Sequence, residues 1–249
     1  MPRLGHRSRL EGGPAEGAVK QLRVDIWSDV VCPWCYVGKR RFEAAVAEFS
    51  HGDAIDVVWR AFELDAAAPR TAGQGSYAEQ LASKYGTSPA KAEEMIQQMT
   101  STAASEGLEL HFDRLWPSNT FDAHRLLHLA SARGVQEKVN ERLLRGSMTE
   151  GRAVGEPEVL VRLAVDAGLD EQETRTVLAS DVYGDDVRAD EAEAQAIGID
   201  GVPFFVLGAR YAVAGAQPKE LLAEALKKAW ESVDDDTNAG WQNCAPEGC

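Results

Sequence analysis

The sequence predicts an α/β fold in which an all-helical segment lies between a β-α-β half and a β-β-α half. Three stretches lead to this prediction. Residues 21–72 contain two strand patterns separated by a helical one. Residues 73–197 repeat helical spacing with frequent Ala, Glu and Arg, and residues 198–233 contain two short strands and a final helix.

The first half is predicted as a β-α-β unit. Its first strand alternates in the period of two that strands show, with Leu22, Val24 and Ile26 against Arg23, Asp25 and Trp27. A helix is predicted over 35–49 and a second strand over 55–64. Because a helix connects the strands, we expect a parallel pair with a right-handed crossover.

The middle and the end of the chain are predicted as helices followed by a hairpin. Helical spacing covers these stretches: 76–85, 89–106, 119–133, 135–148, 156–167, 170–180 and 184–197. Strands are predicted at 204–207 and 211–213, and the short turn between them favours an antiparallel hairpin. A last helix is predicted over 218–232.

The charge and the termini exclude several classes of protein. The chain has 249 residues with 26 Lys+Arg and 40 Asp+Glu, so its formal net charge is −14, which argues against binding to nucleic acid or to anionic membrane surfaces. Residues 1–20 lack the apolar segment of a secretory signal. We expect a cytoplasmic protein with a disordered extension over 1–20 and a flexible tail over 234–249.

The four cysteines form two close pairs, and the first pair lies where a strand gives way to a helix. The run Cys32-Pro33-Trp34-Cys35 places a sulfur at a helix N-terminus, where free N–H groups and the helix dipole favour a thiolate. The spacing also lets the second thiol attack a disulfide formed by the first. Half of a zinc site is the alternative, since Cys-x-x-Cys is also common there.

The residues around this pair resemble the DsbA family of thioredoxin-like proteins, and within it the FrnE-like members. The resemblance rests on Ser-Asp-Val-Val-Cys-Pro-Trp-Cys-Tyr-Val-Gly at 28–38, and on Ser-Asn-Thr at 118–120, Ala-His-Arg at 123–125 and Gly-Val-Pro-Phe-Phe-Val at 201–206. It implies a thioredoxin-like domain formed by 21–72 and 198–233, with a helical domain inserted over 73–197.

The resemblance also implies a thiol–disulfide oxidoreductase that acts on protein substrates. Cys32 would be the attacking thiol and Cys35 the resolving one. No cofactor and no metal is expected, although glutathione or another small thiol is a candidate recycling partner. The strong oxidant of the family has His where this chain has Trp34, so a highly oxidising potential is not expected.

Val202 and Pro203 are the other motif with a predicted role. Proline directly before a strand is placed at its first residue or at a bend. In thioredoxin-like proteins the matching proline is cis and packs beside the active-site disulfide. We therefore expect a cis Val202–Pro203 bond, with the Val202 backbone free to pair with an extended substrate. A plain loop-to-strand proline is the alternative.

Several single residues are weaker candidates. Asp25 is a candidate base for Cys35, with a solvated or capping carboxylate as the alternative. His124 and His128 have ligand spacing on a predicted helix, but we expect surface or core histidines there. Asn119 is expected to cap a helix or line a groove. Met95 and Met99 are the last two candidates, and each is expected either in the core or in a groove that binds peptides.

The second cysteine pair, Cys244 and Cys249, lies in the predicted tail. It is a candidate second redox pair that exchanges with Cys32 and Cys35 or acts alone, a metal-binding clip, or an unused pair. Two other functions therefore remain open for the whole chain. One is metal sequestration by the four cysteines. The other is a glutathione-dependent isomerase or transferase of small molecules, although relatives of that kind carry Ser in place of Cys32.

Overall fold

The computed structural model describes residues 20–70, 76–115 and 118–233. Its elements are, in chain order, β1 (Leu22–Ser28), α1 (Pro33–Glu48), β2 (Ile55–Ala61), α2 (Tyr77–Tyr85), α3 (Pro89–Ser105), α4 (Phe121–Ala132), α5 (Gln136–Met148), α6 (Pro157–Asp166), α7 (Glu171–Leu178), α8 (Gly184–Ala196), β3 (Phe204–Leu207), β4 (Tyr211–Ala214) and α9 (Lys219–Ser232). A short 3-10 turn, Gly52–Ala54, precedes β2.

The four strands form one mixed sheet in the order β2-β1-β3-β4. β1 and β2 are parallel, from Leu22 opposite Ile55 to Ser28 opposite Ala61. β3 runs antiparallel to both β1 and β4. The predicted parallel pair and the predicted hairpin are thus confirmed.

The predicted boundaries of α1 and β2, the elements nearest the cysteine pair, differ from the structure. α1 begins at Pro33 rather than at 35, because Cys32 caps the helix and Pro33 occupies its first position. β2 ends at Ala61 rather than at 64. Its partner β1 stops at Ser28, and beyond that point the Leu64 N–H donates to the Asp29 carboxylate at 2.8 Å.

Helices cover both faces of the sheet. On one face, apolar side chains of β1 and β3 pack against α1 and α9 through Phe42, Leu222 and Leu226. On the other face, Trp27 packs against Ala194 of α8, and its indole N–H donates to the Asp190 carbonyl at 2.9 Å. Trp27 is therefore fully buried.

The helices between β2 and β3 build two further apolar clusters. One joins α4, α5, α6 and α7. The other joins α2 and α3 to α1 through Tyr36 and Val37. Met99 is buried in this second cluster and Met95 packs against it, so both methionines belong to the core. The helical segment is thereby anchored to the helix that carries the cysteine pair.

The outer edge of β2 is occupied by side chains. The Trp59 N–H donates to Gln136 Oε1 at 3.1 Å, and Gln136 Nε2 donates to the Trp59 carbonyl at 3.0 Å. Two residues along the strand, the Ala61 N–H donates to Asp190 Oδ2 at 2.9 Å. Side chains from α5 and α8 thus take up backbone groups that would otherwise face outward.

An ion cluster around the buried Lys39 joins α1 to α5. The Lys39 side chain is 1% exposed and pairs with Glu141 at 3.0 Å and also with Glu43 and Glu137. The Tyr36 hydroxyl donates to Glu141 at 2.8 Å. Burial disfavours the Lys39 charge, yet the Glu137 and Glu43 carboxylates outweigh this and raise the Lys39 pKa.

Among the described helices, none combines the length and the apolar composition that crossing a membrane requires.

Candidate active site

Cys32 lies at the N-terminus of α1, directly after the turn that follows β1. Its N–H donates to the Asp29 carbonyl at 3.1 Å, and its sulfur accepts the Cys35 N–H at 3.4 Å. An N–H donor at a helix N-terminus is the environment that stabilises a thiolate. Both Cys32 and Cys35 are free thiols.

Both cysteines are buried, and Cys32 is the less buried of the two. Cys32 is 4% exposed and Cys35 is 0% exposed, while Trp34 between them is 37% exposed. Burial raises the pKa of the Cys35 thiol well above its ordinary value, and the neighbouring Cys32 adds to the rise. Cys32 is therefore the thiol nearer to solvent, and Cys35 has no exposed surface.

The loop before β3 lies against this pair. The Val202–Pro203 bond is cis, as the sequence predicts. The Cys32 Sγ–H donates to the Val202 carbonyl at 3.7 Å. A Cβ added to Gly38 of α1 would lie 2.7 Å from Pro203 Cγ, so the helix and the proline touch only because Gly38 has no side chain. Cys32, Val202 and Pro203 are thus brought together.

Asp25 is not brought to the thiols. The alternation of β1 turns its side chain to the face opposite α1, where its carboxylate accepts from Arg60 Nε at 2.8 Å and from Arg23 at 2.9 Å. The expected role of Asp25 as the base for Cys35 therefore has no geometric basis, and this expectation is corrected.

Comparison with known proteins agrees with this geometry. The sequence model of the DSBA-like thioredoxin domain matches residues 23–227. The chain belongs to this family. A crystal structure of a probable DsbA oxidoreductase of Streptomyces coelicolor is 44% identical, with a TM-score of 0.81 over 92% of this chain and 98% of that one. The predicted fold class is thereby confirmed.

Two more distant structures share the fold. The cytosolic disulfide reductase DsbM of Pseudomonas aeruginosa, solved with GSH, is 16% identical, with a TM-score of 0.55 over 86% of this chain and 98% of that one. A 2-hydroxychromene-2-carboxylate isomerase is 15% identical, with a TM-score of 0.59 over 87% of this chain and 100% of that one. The family fold thus occurs in both an oxidoreductase and an isomerase.

Asp29 and His124 are a buried pair at the turn that leads to Cys32, and the sequence motifs alone assign no separate role to Asp29. Both side chains are 1% exposed, with His124 Nε2 3.5 Å from Asp29 Oδ1. The same carboxylate holds the N–H groups of Val31 and Leu64. The feature of the sequence that could have pointed to Asp29 is its position, three residues before Cys32. Its carboxylate holds backbone N–H groups of that same segment.

The expectation of core or surface histidines agrees with the structure. His124 is buried, and His128 Nε2 lies 3.0 Å from Asp190 Oδ2, a different carboxylate from the one beside His124. No group of three or more His, Cys, Asp or Glu side chains in the described ranges is arranged to hold a metal ion. This finding does not bear on metal binding by Cys244 and Cys249, because they lie outside the described residues.

Asn119 joins the helical segment to the loop after β2. Its Oδ1 accepts the Phe121 N–H at 3.1 Å, but the N-cap residue of α4 is Thr120 rather than the expected Asn119. Its side-chain amide donates to Glu63 Oε1 at 3.0 Å. Asn119 thus ties the start of α4 to the segment that follows β2.

Two parts of the prediction lie outside the described residues. These are the tail over 234–249 with Cys244 and Cys249, and the N-terminal extension up to residue 19.

Proposed function

We propose that this protein is a thiol–disulfide oxidoreductase of protein substrates, with Cys32 as the attacking thiol and Cys35 as the resolving thiol. The observation that carries the proposal is the arrangement of the two sulfurs. Cys32 caps α1 and accepts the Cys35 N–H, while Cys35 is fully buried behind it. This order matches the two successive attacks that disulfide exchange needs.

The first step takes place at Cys32. Its thiolate attacks one sulfur of a substrate disulfide, forms a mixed disulfide and releases the other substrate sulfur as a thiolate. Cys35 then attacks the Cys32 sulfur, which forms the Cys32–Cys35 disulfide and releases the second substrate thiol. Two electrons pass to the substrate, and the reverse sequence oxidises a substrate dithiol.

Protein substrates are favoured by the surface around Cys32. The Val202 carbonyl lies 3.7 Å from the Cys32 sulfur, so an extended chain bound at the mixed disulfide would run along the Val202 backbone. Trp34, 37% exposed, provides an apolar contact beside it. In this proposal Val202 and Pro203 orient the substrate, and Pro33 and Trp34 shape the motif.

The setting of the reaction is part of the same proposal. The motif at 28–38 supports membership of the FrnE-like subgroup. Reduced thiols prevail in the cytoplasm, where close cysteine pairs serve catalysis more often than structure, so we place the protein there. Glutathione is the proposed recycling thiol, supported by the DsbM structure with GSH. No cofactor or metal takes part.

The test traps the intermediate. In a chain with Cys244 and Cys249 replaced by Ser, Cys35→Ser should accumulate a mixed disulfide with an unfolded, disulfide-bonded protein, because nothing resolves the bond at Cys32. The matched Cys32→Ser variant should form none and should lose turnover. Non-reducing electrophoresis and mass spectrometry measure both. Adducts at Cys35 in the Cys32→Ser variant would contradict the assigned order.

A glutathione-dependent isomerase or transferase is the second candidate, favoured by the fold shared with the isomerase. The family resemblance implies that relatives of that kind carry Ser in place of Cys32, so their chemistry would not need a thiol there. Activity toward an aromatic substrate with glutathione that survives Cys32→Ser would support this candidate. Its absence, together with exchange that depends on Cys32, would leave disulfide chemistry as the function.

A further inference from the structure

Ser28 ends β1 on the side of the sheet that faces α1. The strand alternates, so Val24, Ile26 and Ser28 share a face, and the first two pack in the cluster that contains Phe42 of α1. Cys35 precedes Phe42 by two helical turns and therefore lies on the same side of α1. Ser28 and Cys35 thus meet at the top of one strand–helix interface.

The Ser28 hydroxyl is an unexplained polar group at this interface. Ser28 is 5% exposed, and its Oγ has no hydrogen-bond partner among the described residues. A buried hydroxyl without a partner destabilises a fold, and most such groups in native proteins are paired. The Ser28 hydroxyl is thus a buried donor that makes no hydrogen bond of normal geometry in the dithiol form.

We propose that Ser28 is a positioning residue whose hydroxyl donates a hydrogen bond to the Cys35 thiolate when Cys35 resolves the mixed disulfide. This inference rests on the proposed function and names the group that supports its second step. Cys35 loses its proton, its thiolate attacks the Cys32 sulfur, the Cys32–Cys35 bond forms, and the departing substrate sulfur ends as the thiol that carries the proton. The hydroxyl stays bound to Ser28 throughout.

The surroundings of Cys35 support this role. Burial and the neighbouring Cys32 sulfur raise the pKa of the Cys35 thiol, whereas the Ser28 hydroxyl and the Asp29 backbone N–H act in the opposite direction. A thiolate in an apolar interface depends on such donors. The donor from Asp29 is a main-chain N–H, which remains when the side chain is mutated. The hydroxyl of Ser28 is therefore the donor that a mutation can remove.

A titration tests the hydrogen bond without any substrate. In a chain with Cys32→Ser, Cys244→Ser and Cys249→Ser, Cys35 is the remaining thiol, and its ionisation is followed by the ultraviolet absorbance of the thiolate. Ser28→Ala should raise the midpoint by about one pH unit, which is the loss of one hydrogen bond to a charged group. Ser28→Thr keeps the hydroxyl and should leave the midpoint near its original value. Equal midpoints for all three would overturn the proposal.

Single-turnover kinetics test the consequence in the chain that retains Cys32. Ser28→Ala should slow resolution of the mixed disulfide at neutral pH by about threefold. A tenfold smaller thiolate fraction is partly offset by the higher nucleophilicity of a more basic thiolate. Its stability to urea should be unchanged or higher, because the unpaired hydroxyl is gone. If Ser28→Ala slowed resolution and lowered the stability to urea but left the Cys35 midpoint unshifted, the role of Ser28 would be purely structural.

The two experiments separate the inference from the proposed function. The titration requires only a folded chain with one thiol. If the Cys35 midpoint shifts but the protein has no exchange activity, the hydrogen bond from Ser28 is supported and the oxidoreductase function is rejected. If the midpoint does not shift but the protein is active, the oxidoreductase function is supported and the hydrogen bond is rejected.

Discussion

Single residues of the candidate active site follow from local sequence, whereas their surroundings do not. Cys32, Cys35 and Pro203 belong to short runs whose position before a helix or a strand determines their chemistry. Asp25 and Ser28 could not be assigned in this way. Alternation says which residues of β1 share a face, but only the position of α1 says which face holds Cys35. A lone serine carries no sequence signal at all.

Glu141 should give the unfolding free energy a pH dependence at the acid end. Burial raises its pKa, but the Arg40 hydrogen bond and the Lys39 charge outweigh this and lower the pKa to about 2. The folded pKa is below the unfolded one. The stabilisation is therefore complete above the unfolded pKa of about 4.3 and is lost as the pH falls toward 2.

The matched measurement is urea unfolding of Glu141→Gln between these pH values. The side chain is 32% exposed, so we expect the ion cluster to lose about 1–2 kcal/mol of this stabilisation in the variant at neutral pH. The variant should also lose less stability than the parent on acidification. Glu48→Gln, at a carboxylate that is 64% exposed, is the control. Parallel pH curves for Glu141→Gln and the parent would contradict the assignment.

At the scale of elements, the patterns gave the type and order of strands and helices, and the boundaries depended on tertiary contacts. The end of β2 is an example, because the chain leaves the sheet where β1 stops and the Asp29 carboxylate takes the Leu64 N–H. The packing of α2 and α3 against Tyr36 and Val37 was equally unpredictable, since the apolar face of an amphipathic helix does not indicate which element it packs against.

The contact between α1 and the loop before β3 predicts the effect of Gly38→Ala. In an unhindered helix this change would stabilise by about 1 kcal/mol. Here the new Cβ would lie 2.7 Å from Pro203 Cγ, so one element must shift. We expect a net loss of about 1–3 kcal/mol in unfolding free energy and slower exchange at Cys32, measured by urea unfolding and single-turnover kinetics.

Gly184→Ala is the control for this change. Gly184 begins α8, and a Cβ there would meet Phe121 at 3.5 Å, an ordinary contact. This variant should keep its stability and its exchange rate. If Gly38→Ala were as stable and as active as Gly184→Ala, the tight packing of α1 on Pro203 would not matter for the protein.

At the scale of the whole molecule, the fold class was predictable because its two halves carry separate strand patterns at either end of a long helical stretch. The family match over residues 23–227 covers both halves and the segment between them. The way the segments close around one another was not predictable. Contacts such as Asn119 to Glu63 join residues 56 positions apart, through polar pairs that no periodicity marks.

The tail carries the last prediction. If Cys244 and Cys249 exchange with the Cys32–Cys35 pair, the double Ser variant should turn over more slowly in the multiple-turnover assay. Its single-turnover rate at Cys32 should stay unchanged, because that step uses only the first pair. Thiol alkylation followed by mass spectrometry reports the redox state of each pair. Unchanged turnover and an unchanged redox state of Cys32 and Cys35 would argue that the tail pair is unused.

The paired hydrogen bonds between Gln136 and the backbone of Trp59 have a consequence for how copies of this protein meet. An unpaired sheet edge is a template on which another chain can add a strand. At β2 the side-chain amide of Gln136 makes the two hydrogen bonds to Trp59 that a residue of an added strand would make. The Asp190 carboxylate accepts the N–H of Ala61, the next outward-facing residue of β2. A second molecule would have to displace both side chains before it could extend the sheet there. Two side chains, rather than an additional strand, thus occupy backbone groups at that edge.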